Sequence, residues 1–142
     1  MFDIRRATLD DIDCLYPLAM DLSTSFEVDR CAFSDSFKNM LTDENILLFV
    51  AQADDLLGYI MGYVHPAFYA NGLIAWVEEL YVIPETRNEG VGKALMEYFE
   101  AEAQSRGCKL TSLSTRRAGD FYEALGYEKS AIYYKKTFAA IS

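Results

Sequence analysis

The stretch VEELYVIPETRNEGVGKAL, Val77 to Leu95, decides how this chain folds. Its first half is rich in β-branched and aromatic residues, as a strand is. Pro84 ends that run. Arg87, Gly90 and Gly92 follow in an R-x-x-G-x-G turn, and after it the apolar residues Val91, Leu95, Phe99 and Ala103 recur at helical spacing. A glycine-rich turn between a strand and a helix lets backbone N–H groups approach an anion closely, and the helix N-terminus adds the positive end of a dipole.

Two better-known phosphate turns do not fit. A P-loop requires G-x-x-x-x-G-K-[ST]. Reading back from Gly92-Lys93, its first glycine falls on Arg87, and Ala94 occupies the Ser/Thr position. A dinucleotide fingerprint requires G-x-G-x-x-[GA]. Counted from Gly90 and Gly92, its third position is Leu95.

Working outward, FDIRRAT reads as a first strand. Thr8 and Asp11 form a capping-box pattern that opens a helix running from about Leu9 to Leu22, which Pro17 should interrupt or kink. A short helix is expected over Asp35–Leu41 and a strand over Ile46–Gln52. The turn ADD leads into a hairpin partner, LLGYIMGYV, and HPAFYANG reads as a loop. The strand LIAWVEELYVI precedes the glycine turn. The helix after the turn ends at Arg106-Gly107. KLTSLST is a further strand, GDFYEALGY a short helix closed by Gly126, and SAIYYKKTF a last strand. The order is strand, two helices, three strands, helix, strand, helix, strand, an α/β protein with a mixed sheet.

The chain has 142 residues, 51% of them hydrophobic, which suits a single domain over residues 1–142 with a real core. It contains no apolar run of membrane-spanning length, and its early charges lack a signal core, so a cytoplasmic protein with no membrane partner is expected. The net charge of −9 argues against nucleic acid and mildly favours a cationic partner. Cys14, Cys31 and Cys108 contain no CxxC pair; they are read as packing residues, and no metal is expected.

With Arg87-x-x-Gly90-x-Gly92 behind EELYVIP, and with AGDFYEALGY at Ala118–Tyr127, the chain resembles the GNAT superfamily of acyl-CoA-dependent N-acetyltransferases. The resemblance covers residues 3 to about 138. It implies a mostly antiparallel twisted sheet flanked by helices on both faces. It also implies an acetyl-CoA co-substrate whose pyrophosphate is held by the amides of Asn88, Glu89, Gly90, Val91, Gly92 and Lys93, beside Arg87. Leu80, Tyr81 and Val82 would run along the pantetheine arm, with backbone N–H groups near Val82 facing the oxyanion. Asn88 stands where the family commonly has glycine, and Asn tolerates unusual backbone angles. Glu89 stands where a basic residue is common, and a carboxylate there is unfavourable unless it points to solvent. Thr115 replaces a common Asn near the pantetheine.

Acetyl transfer to an amine needs a neutral amine, donors for the oxyanion and a proton for the departing thiolate. Tyr122 aligns with the family's acid, and a phenol keeps its proton at neutral pH. Glu78 is the first candidate for the base and Glu79 the second. Neighbouring strand residues point to opposite faces unless a bulge intervenes, so Glu78 is grouped with Trp76, Leu80 and Val82, and Glu79 with Tyr81 and Ile83. The resemblance places the acceptor pocket at about Phe26 to Phe37, Phe68-Tyr69 and Tyr133-Tyr134, with Glu27, Asp29 and Asp35 supplying acidity for a primary amine, either a small cation or a peptide. The alternative is a catalytically silent acyl-CoA-binding sensor of the same fold. The aromatic last strand could support a homodimer.

Overall fold

A computed structural model describes residues 1–23 and 27–138. Five strands form one sheet in the order β1-β2-β3-β4-β5, where β1 is Asp3–Arg6, β2 Ile46–Gln52, β3 Leu56–Ala67, β4 Gly72–Val82 and β5 Thr111–Leu113. The first four are antiparallel neighbours. β5 joins β4 in parallel through a crossover that contains the helix α3, Val91–Ser105. The helices α1, Ile12–Leu22, and α2, Arg30–Thr42, cover one face of the sheet; α3 and the short α4, Gly119–Ala124, cover the other.

Each face closes over its own core. On one, Val91, Leu95, Met96, Phe99 and Ala103 of α3 meet Leu47, Phe49, Ile60, Val64, Ala75 and Val77. These are the α3 residues that the helical spacing selects, with Met96 added. Burying each large one contributes about 1.5–3 kcal/mol. On the other, Leu15, Leu18 and Phe37 meet Leu48, Val50, Tyr59, Met61 and Tyr81. Gly62 lets α3 approach: a Cβ there would lie 2.3 Å from the Trp76 carbonyl oxygen and 2.6 Å from Phe99 Cζ. Asp11, the buried charged residue among those described, takes two 2.8 Å bonds from the Arg5 guanidinium and one, also 2.8 Å, from the Thr8 N–H.

Several expectations need correction. A 3-10 turn, Leu9–Asp11, precedes α1, and Pro17 sits inside α1 without ending it. α2 starts at Arg30 rather than Asp35, because Asp29 caps it by accepting from the Ala32 N–H at 2.8 Å. Most of HPAFYANG is ordered structure: β3 extends through Ala67 and a 3-10 turn spans Phe68–Ala70. SAIYYKKTF forms no strand within the described residues, and Ile132, Tyr134 and Phe138 are exposed. A strand needs an edge to pair with, and β5 offers three residues. Cys14 and Cys31 are exposed rather than packed; Cys108 is half-buried.

Candidate active site

The R-x-x-G-x-G turn joins β4 to α3 through a 3-10 turn at Pro84–Thr86. Asn88 and Gly90 both take left-handed backbone, at φ 67° and 87°, so Asn88 does the conformational work of a glycine. The first helical bond is donated by the Ala94 N–H to the Gly90 carbonyl. None of the amides from Asn88 to Lys93 donates to the described residues; those of Gly90 to Lys93 are the orphan donors that a helix start presents to an anion, and Asn88 and Glu89 add two from the turn before it. A Cβ on Gly90 would meet nothing within 4 Å, so the space beside Gly90 is open. Glu89 is exposed, the condition under which a carboxylate is tolerated here. The Arg87 Nε–H donates to the Val82 carbonyl at 2.9 Å and its guanidinium lies over the Tyr81 ring at 5.4 Å, tying the turn to the end of β4.

The β4–β5 ladder covers only Ala75–Val77 against Thr111–Leu113. From Glu78 to Val82 that edge of β4 has no strand partner among the described residues, while its other edge stays paired with β3. Leu80, Tyr81 and Val82 thus carry an open backbone edge leading to the glycine turn.

A β-bulge shapes the middle of β4. Met61 pairs with Glu79 but Gly62 pairs with Val77, leaving Glu78 as the extra residue. Val77 packs with the α3 core, and so do Leu80 and Val82. Both residues between them, Glu78 and Glu79, turn to the α1/α2 side. The grouping of Glu78 with Leu80 and Val82 is thereby corrected: the inserted residue reverses the alternation. The two carboxylates line one cavity of about 720 Å³, walled by α1, α2 and the sheet. Glu27 and Asp29 open onto it, as do Tyr133 and Lys135 of the C-terminal segment.

The two glutamates differ. Glu78 is exposed on the bulge. Glu79 is half-buried and accepts a 2.6 Å bond from the Tyr59 hydroxyl. Burial pushes its carboxyl above the usual range, the Tyr59 bond opposes this, and the charge of Glu78 adds to the rise. Of the other pocket residues expected, Phe33 and Phe37 line the cavity, but Asp35, Phe68 and Tyr69 do not, and Phe26 lies outside the described residues. Tyr134 is exposed at the surface.

Tyr122 stands on α4 against the α3 core, with its ring edge-on to Phe121 at 4.9 Å and to Tyr127 at 6.0 Å. Burial raises its pKa, so the phenol holds its proton at neutral pH. The hydroxyl has no hydrogen-bond partner among the described residues, whereas Tyr127 donates to Glu100 at 2.6 Å. Thr115 Oγ1 accepts from the Ala118 N–H at 3.1 Å and so braces the start of α4. Tyr59, which reading the sequence passed over, looks there like any core aromatic.

Residues 44–129 match the family described as Acetyltransferase (GNAT) domain. An aminoalkylphosphonate N-acetyltransferase from Salmonella typhimurium is 32% identical over 139 residues, covering 94% of this chain and 90% of that protein. An aminoglycoside N(6')-acetyltransferase type 1 from Klebsiella aerogenes is 37% identical over 67 residues, covering 44% of this chain and 43% of the relative. Among solved structures, glucosamine-6-phosphate N-acetyltransferase from Arabidopsis thaliana superposes with a TM-score of 0.86 at 20% identity, covering 98% of this chain and 99% of its own, a likeness of fold. The chain belongs to the GNAT family and is an N-acetyltransferase, one whose family uses acetyl-CoA as co-substrate.

Proposed function

We propose that this N-acetyltransferase transfers the acetyl group of acetyl-CoA directly to the primary amine of a small cationic acceptor, with Glu79 as the base and Tyr122 as the acid. The observation that carries the reading is the bulge at Glu78, which brings two carboxylates into one pocket beside an open strand edge. In the reaction the amine nitrogen attacks the thioester carbonyl through a tetrahedral intermediate. A C–N bond forms, the C–S bond breaks, the amine proton passes to Glu79, and the thiolate takes a proton from Tyr122. The orphan amides from Asn88 to Lys93 would hold the pyrophosphate, and the open edge of Leu80, Tyr81 and Val82 would carry the pantetheine arm, with Thr115 bracing the helix that bears Tyr122. Glu79 ranks above Glu78 here because burial makes its carboxylate more basic and Tyr59 fixes it, whereas Glu78 sits in solvent.

The acceptor class follows from charge. Glu27, Asp29, Glu78 and Glu79 face the cavity against one lysine, Lys135. Such a lining attracts a polyamine or an amino sugar and repels a phosphonate dianion. This separates the chain's expected preference from the substrate in the name of its Salmonella relative. The test follows thiol release from acetyl-CoA with a linear diamine, an aminoglycoside and an aminoalkylphosphonate. Highest kcat/KM for the polycations supports the assignment. Preference for the phosphonate would overturn the acceptor class, and the absence of turnover with any amine would overturn the reaction.

A further inference from the structure

We infer that Tyr59 is a positioning residue that holds Glu79 in place for proton transfer. The inference rests on the reading of Glu79 as the base. Tyr59 lies on β3 opposite Tyr81, and Glu79 lies opposite Met61, so the two are diagonal neighbours across the ladder, within reach of a long side chain. Glu79 alternates regularly with Tyr81 and so shares the face that Tyr59 occupies, and the bulge brings Glu78 onto the same side. Tyr59 is only 2% exposed, and its hydroxyl donates to Glu79 Oε1 at 2.6 Å. A buried ring has no rotational freedom to follow a moving carboxylate, so this bond fixes the carboxylate instead and leaves Oε2 for an acceptor proton. Tyr59 is always available as the donor, because burial and the charge of Glu79 both keep its proton in place.

The bond also tempers the base strength that burial gives Glu79. Other charged or titratable groups around it are Glu78 on its own strand, Tyr63 on β3, Glu27 and Asp29 ahead of α2, and Tyr133 and Lys135 from the C-terminal segment. Burial disfavours the Glu79 carboxylate most, the Tyr59 bond favours it, and the charge of Glu78 disfavours it. Without the phenol, Glu79 should hold its proton to higher pH. That change separates a tuned base from a residue that merely fills the core.

The experiment compares wild type, Tyr59→Phe and Glu79→Gln as the full chain. It records the pH profile of kcat/KM with a diamine, the affinity for acetyl-CoA, and the carboxyl 13C titration of Glu79, assigned by its loss in Glu79→Gln. Glu79→Gln should lose about 100-fold or more in kcat; if its kcat is unchanged, the base reading falls, and this inference falls with it. With Glu79 essential, Tyr59→Phe should raise both the Glu79 titration midpoint and the acid limb of the profile. It should lose about 10-fold in kcat/KM at neutral pH and leave acetyl-CoA affinity unchanged. A folded Tyr59→Phe whose midpoint and acid limb stay at the wild-type values would overturn the inference and leave the base reading intact. Should Tyr59→Phe not fold, 3-fluorotyrosine placed at position 59 supplies a more acidic donor of nearly the same shape. It should move the midpoint to lower pH, and an unmoved midpoint overturns the inference.

Discussion

Gly90 and Gly107 flank α3, and replacing each by alanine separates the conformational role of the glycine turn from its binding role. Both residues have left-handed backbone, at φ 87° and 83°, and a Cβ at either would meet no atom within 4 Å. The shared cost is thus backbone strain alone, about 1–2 kcal/mol for an L-residue in this conformation. For 142 residues the unfolding entropy is about 0.3 kcal/mol per degree, so each variant should melt roughly 3–7 °C below wild type. Only Gly90 lies among the orphan amides. With the pyrophosphate at this turn as proposed, a methyl group there should obstruct its approach, and losing one charge-assisted amide bond, about 1.5–3 kcal/mol, should weaken acetyl-CoA about 10- to 100-fold. Gly107→Ala should bind as wild type does. Scanning calorimetry reads the first effect and titration calorimetry the second. Equal affinity losses in the two variants, or none in either, would refute the placement of the pyrophosphate at this turn.

Three further outcomes follow from the same geometry. Tyr122→Phe should lower kcat about 100-fold with the melting temperature and acetyl-CoA affinity unchanged, since the hydroxyl has no partner among the described residues; stopped-flow thiol detection and calorimetry check this. Gly62→Ala should destabilise the fold by about 1–3 kcal/mol in a urea titration, because the new methyl collides with the Trp76 carbonyl and the Phe99 ring. Asp11→Asn should melt below wild type at neutral pH. The bonds from Arg5, the largest cause, and from Thr8 hold the Asp11 carboxyl below its usual value. Its contribution is present above the unfolded carboxylate pKa of about 4 and is lost as pH falls through the lower folded value, so the gap between the melting curves should close in acid.

How far the sequence could be read depended on whether the deciding contacts were local. The glycine turn and α3 were legible because an apolar helical period and glycines at fixed offsets are both short-range signals; even Asn88, with its positive φ, lay within reach of residue type. β2 matched its expected bounds because its apolar run is continuous and both its faces are covered. The bulge was not legible. WVEELYV breaks strict alternation at the adjacent Glu78 and Glu79, but no glycine or proline marks which residue is inserted, and the offset is fixed only in the pairing with β3. The start of α2 did carry a signal, Asp29 at the cap, which the sparse apolar residues after it obscured. The expected last strand failed for a non-local reason, because alternation in SAIYYKKTF says nothing about whether a sheet edge awaits it. Tyr59 could not be picked out among the chain's tyrosines until β3 was set against β4.

Where acetyl-CoA lies on this chain can be read by an amide NMR titration of the 15N-labelled protein. The amides from Asn88 to Lys93 and those of Leu80 to Val82 should shift together and saturate at one ligand per chain. Saturable binding that moves a different set of amides, and leaves the glycine turn and the open edge of β4 at their free positions, would contradict this placement.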